Sequence, residues 1–250
     1  MTLAKLHLGT SGWHYKHWVG DFYPAKLKAP EMLQWYAQHF STVEINNSFY
    51  RLPDKESFQR WAKTVGEDFC FSVKASQYIT HRKRLNDSRD AMENFLEHAT
   101  VLGRKLGPIL FQLPPNWRVN VERLETFLST LPEQHRYVIE FRDLSWYVPK
   151  VFTVLKQYRV ALCLHDWRAL QWPTEFTTDF TYVRFHGPMG TYNDGYSAAS
   201  LRKWARDVNA WREKLTNIFL YFNNDLQGHA VRDANILRRM IRENLKLSAA

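Results

Sequence analysis

Hydrophobic residues recur along the chain in eight short runs, and nearly every run closes on a polar residue. Most runs are followed by a longer stretch in which apolar residues return at the spacing of an amphipathic helix. Eight alternations of strand and helix predict a (β/α)8 barrel of the TIM type, formed by a single domain over residues 1–250. The predicted strands are Lys5–Gly9, Thr42–Asn46, Phe69–Lys74, Pro108–Leu113, Arg136–Arg142, Val160–Asp166, Thr181–His186 and Asn217–Asn223.

Helical patterns fill seven of the eight connections, and several begin at residues suited to a helix start. The exception is Arg168–Asp179, where Pro173 and a shortage of periodic apolar positions allow at most one short turn. The sixth helix is therefore expected to be weak or missing. The other helices are predicted over Pro30–Phe40, after Asp54, after Ser88, from Asn120, from about Tyr147, around Leu201–Leu215 and around Ala230–Leu245.

Polar residues on several strands share one face, because side chains alternate between the two faces of a strand. The apolar face must pack on the helices, so the polar face is predicted to point into the barrel. The C-terminal ends of barrel strands form the rim at which such proteins bind ligands. The alternative is a self-satisfied ion network that plugs the barrel. The inward set is Glu44, Asn46, Ser72, Lys74, Glu140, Arg142, Arg184 and His186.

Four predicted loops after strands carry further chemistry. GTSGWHYKHW supplies Trp13 and other aromatic rings, and KASQYITHRKR places His81 within a cationic run. HGPMGTYNDGY and NNDLQGHA are rich in glycine and turn residues, and they occupy the place where barrels often bind phosphate through backbone amides. Asp225 weakens that interpretation unless its carboxylate caps the final helix.

Composition narrows the classes of partner. The 250 residues carry a formal net charge of +9, which favours anionic partners such as nucleic acid or phosphorylated metabolites. Aromatic residues make up 15%, which suits stacking on bases or sugars but also bulky packing. Cys70 and Cys163 lie inside predicted strands, so we expect reduced core residues. With no membrane-length apolar run and no room for a signal peptide before the first strand, we expect a cytoplasmic protein.

A metal site is the weaker alternative for the rim. Glu44, Glu140, Asp166, His165 and His186 carry oxygen and imidazole donors suited to zinc or manganese. The sequence contains no H-x-H or H-E-x-x-H spacing, and the cations predicted nearby would compete for the carboxylates. We therefore expect no cofactor, with a divalent metal as the alternative.

Seven segments occur in order along nearly the whole chain: GTSGWHYKHW, EINNSFYRLP, KASQYITH, GPILFQLPP, EFRDLSW, YVRFHGP and YFNNDLQGHA. Together they resemble the YecE-like family, also called domain of unknown function 72. The resemblance implies a (β/α)8 barrel and no established activity. Asp143 and Pro188 depart from the family pattern, in which His and Arg are expected. The implied cleft residues are Trp13, Glu44, Asn46, Tyr50, Lys74, His81, Gln112, Glu140, Arg142, Trp146, Asp166, Arg184, His186, Asn223 and Asp225.

Three functions compete. The leading hypothesis is binding of a phosphate-bearing ligand such as nucleic acid or a nucleotide. In its hydrolytic version, Glu44 or Glu140 is the general base, His186 is the general acid, and the cations stabilise the developing charge. The second hypothesis is a non-catalytic interaction or sensing protein. The third is a glycoside-processing enzyme that uses Glu44 and Glu140, although neighbouring cations favour the ionised form of both and one must act as an acid.

Overall fold

The computed structural model describes residues 3–169 and 173–248. Its strands are all parallel and follow the order β1-β8-β7-β6-β5-β4-β3-β2, the arrangement of a (β/α)8 barrel, which confirms the predicted fold. The strands are β1 Lys5–Thr10, β2 Thr42–Ile45, β3 Cys70–Lys74, β4 Leu106–Gln112, β5 Tyr137–Glu140, β6 Val160–His165, β7 Phe180–Phe185 and β8 Asn217–Phe222.

Seven α-helices occur in the described part of the chain: α1 Met32–His39, α2 Lys55–Thr64, α3 Arg89–Ala99, α4 Val121–Leu128, α5 Pro149–Gln157, α6 Ala198–Arg212 and α7 His229–Ser248. The sixth connection holds one short 3-10 turn over Trp167–Ala169 and no α-helix among its described residues, as predicted. Residues 170–172 of that connection, and the side chain of Leu245, lie outside the described residues.

Helix starts follow the predicted capping residues. The carboxylate of Asp54 accepts a hydrogen bond from the Ser57 amide at 2.8 Å, and the side chain of Asn120 accepts one from the Arg123 amide at 2.9 Å. These bonds satisfy amide groups that the first turn of a helix otherwise leaves unpaired. The fifth helix begins at Pro149 rather than near Tyr147, because residues 144–146 form a separate 3-10 turn.

The chain divides into two compact units. The first unit comprises Met1–Val43, Leu164–Trp172 and Asp179–Ala250. In it β1 and β7 both pair with β8, and Lys5 and Phe180 both lie opposite Asn217. A Cβ atom at Gly9 would lie 2.2 Å from the carbonyl oxygen of Thr42, so β1 requires a glycine at this close approach.

The second unit comprises Glu44–Cys163 and Pro173–Thr178. It contains β3, β4 and β5 as consecutive neighbours, and Gln112 at the end of β4 lies opposite Glu140 at the end of β5. Phe71, Phe111 and Ile139 on these strands are fully buried. The strands are buried on both faces, as parallel barrel strands are, and they carry polar residues to their C-terminal ends.

A bilayer-spanning segment is not found among the helices that the structure describes, since each falls short in length or in apolar character.

Candidate functional site

Three nitrogen-bearing side chains gather at the C-terminal ends of strands in the second unit. Lys74 is the last residue of β3 and is buried. Arg142 follows β5 by two residues and is also buried. His81 belongs to a π-helical turn over Tyr78–Arg82 after β3 and is half-buried. Such π-turns are frequent at functional sites.

Phe49 lies among these side chains. The ammonium nitrogen of Lys74 is 3.8 Å from the centroid of the Phe49 ring, and the His81 ring contacts the same ring edge-on with a centroid distance of 5.0 Å. A cation over an aromatic face is stabilised by the ring quadrupole. Ser48 fixes the segment, because its hydroxyl donates a 2.6 Å hydrogen bond to the Lys74 carbonyl oxygen. One aromatic ring therefore positions both Lys74 and His81.

The electrostatic field at the His81 ring is positive. Burial is the largest cause, and together with the charges of Lys74 and Arg142 it lowers the pKa of His81 from its ordinary value of 6.5 to about 4. The imidazole is therefore neutral at physiological pH. Its Nδ1 atom lies 2.9 Å from the Thr80 hydroxyl oxygen, which fixes the orientation of the ring.

The carboxylate of Glu140 forms an ion pair with the guanidinium of Arg142. Both side chains are buried, and the Cys163 thiol donates to the second carboxylate oxygen of Glu140 at 3.8 Å. Such a pair requires the charged carboxylate, which disfavours Glu140 as the general acid of a glycosidase. Glu44, at β2, is likewise fully buried.

Three further predicted residues lie at the ends of the same strands. Asn46 follows β2, and its Oδ1 atom is buried and has no hydrogen-bond partner among the described residues. Gln112 donates to the Leu113 carbonyl oxygen at 2.8 Å. Tyr50 follows a 3-10 turn after β2 and is 72% exposed. Asn46 and Tyr50 therefore remain available to a ligand.

Trp146 belongs to the core. It is fully buried, its indole stacks on Phe141 with a centroid distance of 4.8 Å, and its Nε1 donates to the Trp117 carbonyl oxygen at 2.6 Å. No face of this ring is left for a ligand, so the role that the structure gives Trp146 is packing. The family resemblance implied a cleft role for Trp146 but did not indicate the direction of its side chain.

The remaining predicted site residues lie in the first unit. His186 and Asn223 follow β7 and β8, and the Asn223 amide nitrogen is 3.3 Å from His186 Nδ1. His165 at the end of β6 and His186 are both buried, with ring centroids 6.0 Å apart and donor atoms within 4.8 Å of each other. Two such imidazoles are the groups of this unit that could ligate a transition metal.

Asp166 holds the loop after β7. Its Oδ1 accepts from the His186 amide at 2.7 Å, and its Oδ2 accepts from the Tyr196 hydroxyl. Tyr196 in turn accepts from the Gly187 amide at 2.8 Å. Burial, reinforced by the charge of Asp166, raises the pKa of Tyr196 well above its ordinary range. Asp166 therefore braces a loop with both of its oxygens.

Several amides of the two glycine-rich loops donate hydrogen bonds within the protein. In the loop after β7, the Gly190 amide donates to the Gly187 carbonyl oxygen and the Tyr192 amide to the His186 carbonyl oxygen. After β8, the Gly228 amide donates to the Asp225 carbonyl oxygen, and the Ala230 amide donates to Asn224. These four amides are therefore not free donors for a phosphate group.

Three predicted residues complete the first unit. Arg184 lies inside β7 and is almost fully buried. Trp13 is buried after β1, where the Tyr23 hydroxyl donates to its carbonyl oxygen. Asp225 makes no side-chain cap to the turn that it precedes, and its carboxylate lies 3.6 Å from His17 Nε2. Burial raises the pKa of Asp225.

The family model described as "Protein of unknown function DUF72" matches residues 7–250. The chain belongs to the DUF72 family. UPF0759 protein YunF of Bacillus subtilis strain 168 is 26% identical over 262 residues, which cover 90% of each chain. UPF0759 protein YecE of Escherichia coli K12 is 30% identical over 143 residues, which cover 57% of this chain and 50% of YecE.

A solved structure supports the same assignment. The crystal structure of the DUF72 family protein TM1631 of Thermotoga maritima has a TM-score of 0.87 and 28% sequence identity. The match covers 95% of this chain and 99% of that protein. The family resemblance of the sequence segments is confirmed.

Sequence reasoning missed several residues of this DUF72 protein that position the site. Phe49 orients Lys74, Thr80 orients His81, and Tyr196 donates a hydrogen bond to Asp166. Phe49 lies within the segment EINNSFYRLP, and Thr80 precedes His81. The sequence therefore indicated these segments but not the contacts that Phe49 and Thr80 make. Strand alternation predicts which way a strand residue points, and these three residues lie in loops and turns.

Proposed function

We propose that this DUF72 protein binds a phosphate-bearing ligand through Lys74, His81 and Arg142. The observation that supports this most is the arrangement of Lys74 and His81 against the same Phe49 ring, with the charges of Lys74 and Arg142 both acting to lower the pKa of His81. Lysine and arginine are the side chains that phosphate groups prefer, and a neutral imidazole can donate one further hydrogen bond. Asn46 supplies a polar side chain beside the end of β2.

Nucleic acid is the ligand class that suits the surrounding surface. Tyr50 is 72% exposed and Tyr78 is 44% exposed, and both follow strands that carry the site. Arg51, Arg82 and Arg84 are exposed on the same two loops. Aromatic rings interleaved with cations are typical of proteins that stack single-stranded bases and track the phosphate backbone. The net charge of +9 acts in the same direction.

Binding is favoured over hydrolysis by the state of Glu140. A general base needs a carboxylate that can reach a water or hydroxyl, and the carboxylate of Glu140 is buried against Arg142 and Cys163. We therefore assign Glu140 to holding Arg142 in place. A hydrolytic role for Glu44 and His186 has no comparable support within either unit.

The test is a filter-binding titration over salt concentration with single-stranded DNA, duplex DNA, RNA and mononucleotides. We expect the single strands to bind most tightly, with an affinity that falls steeply as salt rises. Lys74→Met should weaken binding about tenfold, because it removes one charged contact and keeps the apolar stem. Lys63→Gln, which removes an exposed cation on α2, is the matched control and should bind like the wild type.

The outcomes separate the alternatives. Absence of binding to all four ligands at low salt would remove the proposal and leave the interaction or sensing protein. Equal losses in Lys74→Met and Lys63→Gln would assign the binding to general surface charge. Addition of EDTA should leave the affinity unchanged, since the proposed contacts are made by side-chain nitrogens.

A further inference from the structure

A cationic cavity lies at the N-terminal end of β1, within the first unit. It has a volume of about 530 Å3 and opens beside Lys5, the first residue of β1. Its polar walls include Lys5, Arg212, Arg238 and Arg242, and its apolar walls include Leu6 and Ile241. No aspartate or glutamate is among the residues that line it. A cavity of this size is within the range of small-molecule sites.

The described lining of the cavity holds four cations and no carboxylate. Among the residues that the structure describes, none of the four forms an ion pair. Arg238 and Arg242 stand one helical turn apart on α7, a spacing at which like charges repel. An anion in the cavity would relieve this repulsion.

Two of the three arginines, Arg212 and Arg238, are held in place by hydrogen bonds. Arg212 Nε donates to the Ala4 carbonyl oxygen at 3.3 Å, and Arg238 Nη1 donates to the His39 carbonyl oxygen at 2.7 Å. The Arg238 guanidinium also lies 5.3 Å from the centroid of the Phe40 ring. Partial burial lowers the pKa of Arg212 and of Arg238, and the charge of Arg242 lowers the pKa of Arg238 further. Positioned, partly desolvated guanidinium groups bind phosphate strongly.

We propose that this cavity binds a small organic phosphate, with the phosphate group on the arginines and the apolar portion of the ligand against Leu6 and Ile241. The phosphate is recognised as a divalent anion, and the apolar wall distinguishes an organic phosphate from the inorganic ion. This site is independent of Lys74, His81 and Arg142.

Calorimetric titration of the full chain tests the proposal, with phenyl phosphate and inorganic phosphate as probes. Phenyl phosphate should bind at least about tenfold more tightly than inorganic phosphate, because only the former buries a ring. Arg242→Gln should weaken phenyl phosphate about tenfold. Arg242 is exposed and makes no hydrogen bond to a described residue, so this variant is expected to fold normally.

Arg239→Gln is the matched control, since Arg239 is an exposed arginine of α7 that does not line the cavity. Hydrogen exchange should slow at the amides of residues 3–8 when phenyl phosphate binds. Equal losses in Arg239→Gln and Arg242→Gln, equal affinity for the two probes, or no binding would each overturn the proposal. Binding that is lost in Lys74→Met and kept in Arg242→Gln would also overturn it, and would support the function proposed for Lys74.

Discussion

The ammonium nitrogen of Lys74 lies 3.8 Å from the centroid of the Phe49 ring. This contact holds a buried cation at the end of β3 while leaving its N–H groups to other partners. The His81 ring contacts the same Phe49 ring edge-on, with a distance of 5.0 Å between the ring centroids. The ring is thus the support on which the cationic cluster is arranged.

Replacement of Phe49 by leucine tests this support. Phe49→Leu should lower the free energy of unfolding by about 1–2 kcal/mol, because the cation–π contact and part of the buried area are lost. The affinity for the anionic ligand should fall as well, since Lys74 loses its position. Urea unfolding and filter binding measure the two effects. A variant as stable as the wild type and with unchanged affinity would show that Phe49 does not position Lys74.

The buried ion pair of Glu140 and Arg142 predicts strong coupling between the two residues. Arg142→Met should destabilise the protein by about 3–5 kcal/mol, because it leaves a buried carboxylate without its cation. The double variant Glu140→Gln with Arg142→Met should recover at least half of that loss. Urea unfolding of the four proteins in the cycle gives the coupling energy. Additive losses would contradict the pairing.

We expect the two hydrogen bonds of the Tyr196 hydroxyl to stabilise the loop after β7. Tyr196→Phe removes the hydroxyl that donates to Asp166 and accepts from the Gly187 amide, so we expect a loss of about 1–3 kcal/mol in the free energy of unfolding. Tyr158→Phe is the control, because no hydrogen bond of the Tyr158 hydroxyl is found in the described structure. Similar stabilities for both variants would show that Asp166 does not depend on Tyr196.

Because Trp146 packs in the core, its replacement should lower the stability of the protein without weakening ligand binding. Trp146→Phe leaves the Trp117 carbonyl oxygen without its donor and creates a small cavity, so it should cost about 1–3 kcal/mol. Ligand affinity should stay within twofold of the wild type once the variant is folded. A selective loss of affinity with unchanged stability would return Trp146 to the ligand site.

The strands could be predicted from the sequence because burial leaves a direct pattern along the chain. The runs that end at Lys74 and Glu140 are mostly apolar before their last residue, with Ser72 as the exception. Asp54 and Asn120 are capping residues that predict the helices beginning after them. The sixth connection has no α-helix among its described residues, and this could also be predicted, because Pro173 interrupts a segment that already lacks apolar periodicity. The fold therefore follows from local patterns.

The site was only partly predictable. Strand alternation places Lys74, Glu140 and Arg142 on inward faces and allows for paired charges, but it does not predict which carboxylate Arg142 pairs with. The loop amides after β7 illustrate the same limit. A glycine-rich segment signals a tight turn, and whether its amides face a ligand or their own carbonyl groups depends on the turn that forms.

The pH dependence of His81 follows from its lowered pKa. The unfolded chain takes up the His81 proton near pH 6.5, whereas the folded protein takes it up only near pH 4. The stability that this group contributes is therefore present above pH 6.5 and is lost as the pH falls from 6.5 towards 4. An anion bound beside the ring opposes the positive field and raises the pKa, so binding should tighten as the pH falls through this window.

The most direct test is an NMR titration of the His81 ring in the wild-type protein, alone and saturated with a short single-stranded oligonucleotide. The free protein should give a pKa near 4, and the saturated protein a clearly higher value. A His81 pKa that is the same with and without the ligand would contradict an anion site formed by Lys74, His81 and Arg142.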